Sequence, residues 1–322
     1  MAVAPPGMTQ VFPMMCGTCS NENGIKMMFM RYMNKQRKGR VEFTEEELSS
    51  VLKHQEPGSP KLSILSFKGA FHGRSLGLLS CSNSRPIQGV DIPTLPWPKA
   101  DFPKYKYPLV EHARENAEED ARCLALVEEL IESASTEGQP VAGVISEPIQ
   151  AEGGDNHASA EFFRGLAEIC ARRDISLMMD EVQTGGGATG KMWCHEHFGI
   201  QADVVSFSKK MLSGGIYHNL EHRPPHPGRI LNTWVGDPHK IIMLEQVSSV
   251  VLHLRCLLTA LRRLSRRFAR TPCWSWSPGP GRRYRPGWRS CSSASPPSCR
   301  QRGAAARSVL STWRARSCGT GS

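Results

Sequence analysis

The chain has 322 residues, of which 39% are hydrophobic and 22% charged, and its formal net charge is +10. That length allows two domains and a sizeable core, and no run approaches the roughly 18 apolar residues of a membrane span. The charge argues against a nucleic-acid binder by its distribution: 15 of the 40 basic residues lie between Leu252 and Ser322, where there is no Asp or Glu, so residues 1–251 carry 25 basic against 30 acidic side chains.

Taken in chain order, Met1 to Gly7 shows neither the Arg-rich amphipathic pattern of a transit peptide nor an apolar signal core, which implies a cytoplasmic location if Met1 is the true start. Cys16-Gly17-Thr18-Cys19-Ser20-Asn21 then precedes a helix-compatible stretch from Glu22 to about Met33. Free backbone N–H groups and small hydroxyls at a helix start form a phosphate site in principle; a simple Ser or Asn cap is the plainer alternative. Ser63 to Phe67 reads as a strand, followed by Gly69-Ala70-Phe71-His72-Gly73-Arg74. There Phe71 offers a face for a planar ring and Arg74 a fork for a carboxylate. Ile92 to Pro108, rich in proline, reads as an extended surface connection.

The charged amphipathic stretch Glu111 to Ser135 and the segment Ser159 to Arg172, opened by a capping Ser159, read as helices. Strands are expected at Val141 to Ser146, Ile175 to Met179 and Val204 to Phe207. This alternation is that of an α/β domain with a mostly parallel sheet, in which ligands collect at the carboxyl ends of the strands. Glu147, Asp180 and Ser208-Lys209 all stand just past such ends, and Glu152 follows in the loop after Glu147. Pyridoxal phosphate chemistry needs a carboxylate to keep the pyridine nitrogen protonated and a lysine to hold the aldehyde, so Asp180 and Lys209 are candidates for the two roles. Three patterns are decoys. Gly185 to Lys191 fits G-x-x-x-x-G-K, but Met192 stands where a nucleotide-binding loop needs Ser or Thr. His195-Glu196-His197 has adjacent side chains that diverge on a helix or strand, and the basic segment with Arg223, His226 and Arg229 carries no further pattern.

The tail, 252–322, holds five of the eleven Cys and four of the seven Trp in an Arg, Ser, Pro and Gly background. A disordered basic arm, a disulfide or metal module and a shifted reading frame all compete; the absence of Lys beside unspaced Cys and Trp favours the last. The expected division is therefore a cofactor-binding domain over 1–251 and this tail over 252–322.

The motifs CGTCSNEN, GAFHGR, EPIQAEGGDNHAS, DEVQTGGG, SFSKKM and NTWVGDP together resemble the fold-type I, class III pyridoxal phosphate-dependent aminotransferases. CGTC and GGDNHAS point to the 4-aminobutyrate branch of that family. The resemblance runs from about Val3 to Val251 and implies the large cofactor domain of an α/β fold, with the small C-terminal domain missing or replaced and the N-terminal segment incomplete.

It further implies that Gly17 and Thr18 bind the cofactor phosphate, that Phe71 stacks on its ring, that Asp180 pairs with the ring nitrogen and Gln183 approaches the ring hydroxyl, and that Lys209 forms the Schiff base. Thr233 matches a phosphate contact made across a homodimer, Arg74 a grip on the substrate carboxylate, and Glu152 the partner of a second arginine supplied by the missing domain. Cys16 and Cys19 match ligands of a [2Fe–2S] cluster shared across the dimer; read from the residues alone, a redox dithiol or two free thiols remain open. The implied reaction takes small amino acid and 2-oxo acid substrates, converting 4-aminobutyrate and 2-oxoglutarate to succinate semialdehyde and glutamate, in the mitochondrial matrix. Without the second arginine, poor activity with 2-oxoglutarate is expected. The alternatives are a catalytically impaired or heterodimerising product and another ω-amino acid aminotransferase.

Overall fold

The computed structural model describes residues 3–233, 235 and 237–253. The expected tail, apart from Leu252 and His253, lies outside the described residues. The elements run β1 (Gln10–Met14), α1 (Gly17–Gln36), α2 (Glu45–Val51), β2 (Ser63–Phe67), α3 (Leu76–Leu79), β3 (Lys99–Ala100), α4 (Ala113–Thr136), β4 (Val141–Ser146), β5 (Ile149–Gln150), β6 (Asn156–His157), α5 (Ala160–Arg172), β7 (Ser176–Asp180), β8 (Val204–Phe207) and β9 (Gly214–His218), with further helix over 238–253.

Seven strands form one sheet in the order β1-β9-β8-β7-β4-β2-β3. Strands β3, β2, β4, β7 and β8 pair in parallel, while β9 is antiparallel to both β8 and β1. The expected mostly parallel α/β sheet is therefore present. Two antiparallel steps return β1 to the direction of β8, so the chain leaving Met14 emerges at the same sheet end as Asp180 and Ser208.

Strands β2, β4, β7 and β8 are buried along their whole lengths, as a sheet covered on both faces requires. Side-chain alternation sorts them into two cores. Leu65, Val144, Leu177, Met179, Val205 and Phe207 join one core with Cys123, Val127 and Ile131 of α4 and Phe162, Leu166 and Ile169 of α5. Ile64, Ile145, Met178 and Val204 join the other with Ile25, Met27 and Met28 of α1. Each fully buried side chain of this size contributes about 1.5–3 kcal/mol, and the paired layers hold the strand ends in fixed register.

The sequence expectations need correction in three places. Helix α1 begins at Gly17 rather than Glu22, because Ser20 and Asn21 turn inward and are buried. The segment 92–108 is not wholly an extended connection: Lys99–Ala100 pairs in parallel with Ser66 and Phe67. Strands β1 and β9 were not anticipated; Pro13 interrupts the first and Gly214-Gly215 opens the second. Strand β7 begins at Ser176, and Ser159 caps α5 as expected, its hydroxyl accepting the Phe162 N–H at 2.9 Å.

Candidate active site

A cavity of about 210 Å³ opens at the carboxyl ends of the strands, and Cys16, Gly17, Thr18, Phe71, Asp180, Gln183 and Lys209 all line it. They reach it from four connections, those after β1, β2, β7 and β8. The end of β1 delivers Cys16 to the N-terminus of α1, where no side chain caps the first turn, so the backbone N–H groups there stay available. Gly73, at φ 139°, completes this corner: a Cβ there would lie 2.8 Å from Thr18 Oγ1. A Cβ on Gly17 would meet Val182 Cγ1 at 2.7 Å, so a side chain at that position would collide with the opposite wall.

Asp180 ends β7 and is 4% exposed. Its Oδ2 accepts from Asn21 Nδ2 at 2.7 Å and His72 Nδ1 at 2.8 Å, and its Oδ1 accepts from Val182 N at 3.1 Å and Ser206 Oγ at 3.3 Å. Four donors from four segments hold one carboxylate in place. Asn21 Oδ1 and His72 Nε2, on cavity-lining residues, are buried without a protein partner. Glu147 also faces the cavity, with Oε1 accepting from Phe71 N at 2.9 Å. Burial raises its pKa to about 7; the charge of Asp180 adds to the shift and His72 opposes it.

Lys209 follows β8 in a left-handed backbone conformation, φ 50°, which costs a non-glycine residue energy and is characteristic of functional positions. Hydrogen bonds from Met211 N to Ser208 O and from Leu212 N to Lys209 O hold the turn. The next residue, Lys210, donates Nζ to the Gln183 carbonyl and so ties the two lining loops together. Behind them, Glu181 accepts from the His195 backbone N and Nδ1, both at 2.8 Å, and from the Thr184 hydroxyl. This buried pair disposes of the His195-Glu196-His197 decoy, and the turn Cys194–His197 after Gly185 to Met192 is not the helix a nucleotide-binding loop needs.

Arg74, Glu152, Thr233 and Cys19 lie outside the cavity lining. Arg74 is exposed, its guanidinium 5.7 Å from the Phe71 ring centroid. Glu152 pairs with Arg85 at 3.0 Å, an ion pair the sequence did not suggest. Thr233 is exposed in the segment before the helix over 238–253. Cys16 and Cys19 offer two thiols, and burial, with the charge of Cys16 adding, pushes the Cys19 thiol up. Among the described residues no group of three or more His, Cys, Asp or Glu could hold a metal, and Cys16 and Cys19 are two of the four thiolates such a cluster needs. Sequence reading passed over Asn21, His72 and Val182; their signal was position alone, each lying beside or within a motif already singled out.

An acceptor carboxylate, an amine, an aromatic wall and an uncapped helix N-terminus on one cavity fit pyridoxal phosphate by their chemistry. The family model for class-III aminotransferases matches residues 1–270. The chain belongs to that family. Class III aminotransferases are expected to use pyridoxal phosphate. The chain is 52% identical over 253 residues to the mitochondrial 4-aminobutyrate aminotransferase of Homo sapiens, covering 78% of this chain and 50% of the relative. It is 55% identical over 249 residues to the 4-aminobutyrate aminotransferase of Dictyostelium discoideum, covering 77% of this chain and 50% of the relative. It thus spans about half the length of the curated relatives it matches. Among solved structures, lysine aminotransferase from M. tuberculosis superimposes with a TM-score of 0.60 at 26% identity, over 83% of this chain and 61% of the other. An ω-transaminase from Thermomicrobium roseum, at 24% identity and a TM-score of 0.64 over 79% and 53%, shares the fold.

Proposed function

We propose that the chain is the cofactor-binding part of an aminotransferase that moves the amino group of 4-aminobutyrate, or a related ω-amino acid, to 2-oxoglutarate. The convergence of Asp180 and Lys209 on one cavity carries this reading, and the names of the relatives, half of whose length the chain spans, supply the substrate. When bound, pyridoxal phosphate draws electron density from the substrate carbon, making its proton removable.

In this reading the Gly17 and Thr18 N–H groups would hold the phosphate, Phe71 and Val182 would be the apolar walls beside the ring, and Gln183 would serve the ring hydroxyl. Asp180, fixed by Asn21 and His72, stabilises positive charge at the ring nitrogen. Lys209 would hold the cofactor aldehyde, and its Nζ is the group that would take and return the substrate proton. Arg74 grips the substrate carboxylate; its contact with the Phe71 ring sets it at that wall. Glu152 is paired with Arg85, and Thr233 would serve the phosphate of a second copy in a homodimer. A [2Fe–2S] cluster would need two thiolates beyond Cys16 and Cys19, and no step is assigned to it. The mitochondrial location named for the human relative is the compartment this reading favours.

A single-turnover assay tests it. Cofactor-loaded chain mixed with 4-aminobutyrate should release succinate semialdehyde stoichiometrically, and Arg74→Ala should weaken substrate binding by about tenfold or more. No aldehyde product from 4-aminobutyrate or longer ω-amino acids would contradict the substrate assignment.

A further inference from the structure

At the other end of the sheet, where Leu62 precedes β2 and Gln139 precedes β4, a second cavity of about 480 Å³ lies beside the C-terminal half of α1. Its volume falls in the range of small-molecule sites. Phe29, Met30, Leu62 and Trp97 give it apolar walls, while Arg37, His54, Lys61 and Arg229 are its charged and titratable residues; no Asp or Glu lines it. Arg37 shares the Glu47 carboxylate with Arg40, its own Nε 2.9 Å from Oε1. Arg229 has only the face of Phe43, 5.3 Å from its guanidinium, and among the described residues no carboxylate pairs with Arg229, Lys61 or His54. Burial and the charge of Arg37 lower the pKa of Arg229, the mark of a cation lacking a counter-ion.

Trp97 adds an apolar wall rather than a donor: it is 7% exposed, and its indole Nε1 is buried away from the open space. The cavity therefore combines apolar walls with an unmet demand for negative charge. A neutral hydrocarbon satisfies only the first, and a bare inorganic anion only the second.

We propose that this cavity binds a small organic anion, a carboxylate or phosphate monoester head on an apolar body. The head lies against Arg229 and Lys61, and the body covers Met30, Leu62 and the Trp97 ring. The site is separate from the one that holds Lys209, so its failure and that of the aminotransferase reading are distinguishable.

Isothermal titration of the full chain with octanoate is the test, with octanol and acetate as the two halves of the probe. Octanoate should bind saturably and at least about tenfold tighter than either half. Arg229→Gln and Lys61→Gln should each weaken octanoate by about tenfold, while Lys209→Ala leaves it unchanged. Octyl phosphate titrated alongside ranks the head groups; tighter binding of either amphiphile than of octanol supports the site. Octanol binding as well as octanoate overturns the demand for an anion, and acetate doing so overturns the apolar body. Octanoate affinity unchanged in both variants places binding elsewhere and overturns the assignment.

Discussion

The two ends of the parallel sheet each bury a polar network, and the two differ in how completely they are satisfied. At the amino end, Ser176 Oγ meets His222 Nε2 at 2.7 Å, His222 Nδ1 meets Asn219 Oδ1 at 2.7 Å, and Asn219 Nδ2 donates to Asp203 Oδ1 at 2.9 Å. Asp203 Oδ2 closes the set by accepting from Leu177 N at 2.8 Å. A serine, a histidine and an aspartate stand together there, yet Ser176 and His222 are buried and every polar side-chain atom of the four residues is engaged. Burial drives the His222 pKa down to about 3, so the ring stays neutral and pins β7 to the turn after β9. At the carboxyl end, Asp180 is equally well held, but the atoms around it are not: Asn21 Oδ1 and His72 Nε2 lack partners and Glu147 is pushed up to about 7. Full satisfaction marks structure; unmet polar capacity on a cavity marks a site.

His222→Ala should break the closed end hardest. It leaves Ser176 and Asn219 buried without their partner beside a new void, at a cost of about 4 kcal/mol in denaturant unfolding. Cofactor affinity of the protein that remains folded should not change, and a parallel loss of affinity would mean that the two ends are coupled.

Glu147 offers a sharper contrast because its folded pKa lies above the unfolded value of 4.5, at about 7. Between those values the folded state binds the extra proton, so the stability this residue contributes is present at low pH and is lost as pH rises through about 7. The whole effect is at most about 3 kcal/mol. Glu147→Gln should flatten the fall in unfolding free energy across that window while retaining an acceptor for Phe71 N; an unchanged slope would assign the fall to another group. At the open end itself, Asp180→Asn should weaken pyridoxal phosphate by about a hundredfold, or about 2.7 kcal/mol, with little change in stability. Equilibrium dialysis would expose an affinity equal to that of the parent chain. The smallest effect is expected away from both ends, where Ser159→Ala removes the cap of α5 and costs about 1 kcal/mol, read by thermal unfolding.

Much of the open end was legible before the structure because its chemistry sits in short motifs directly after apolar runs. Asp180 and Lys209 stand where strand periodicity stops, and β4 and β8 were readable residue for residue because both are buried runs of small and β-branched side chains. The rest was hidden for identifiable reasons. Gly17 to Asn21 reads as a loop because small polar residues favour caps over helix interiors, whereas tertiary burial of Ser20 and Asn21 carries the helix through them. Pro13 masks β1, an edge strand where a missing N–H is tolerated, and paired glycines mask β9. The left-handed turn at Lys209 and the pairing of Glu152 with Arg85 depend on contacts no local pattern encodes.

The central claim is that Lys209 holds pyridoxal phosphate in this cavity. The most direct test is an absorbance spectrum of the purified chain with added pyridoxal phosphate, before and after borohydride, beside Lys209→Ala, with peptide mass analysis of the reduced protein. A visible band that depends on Lys209, trapped by reduction on that residue, is the predicted result. A band that survives Lys209→Ala, or a reduced adduct found only on Lys210 or on other lysines, would contradict the account.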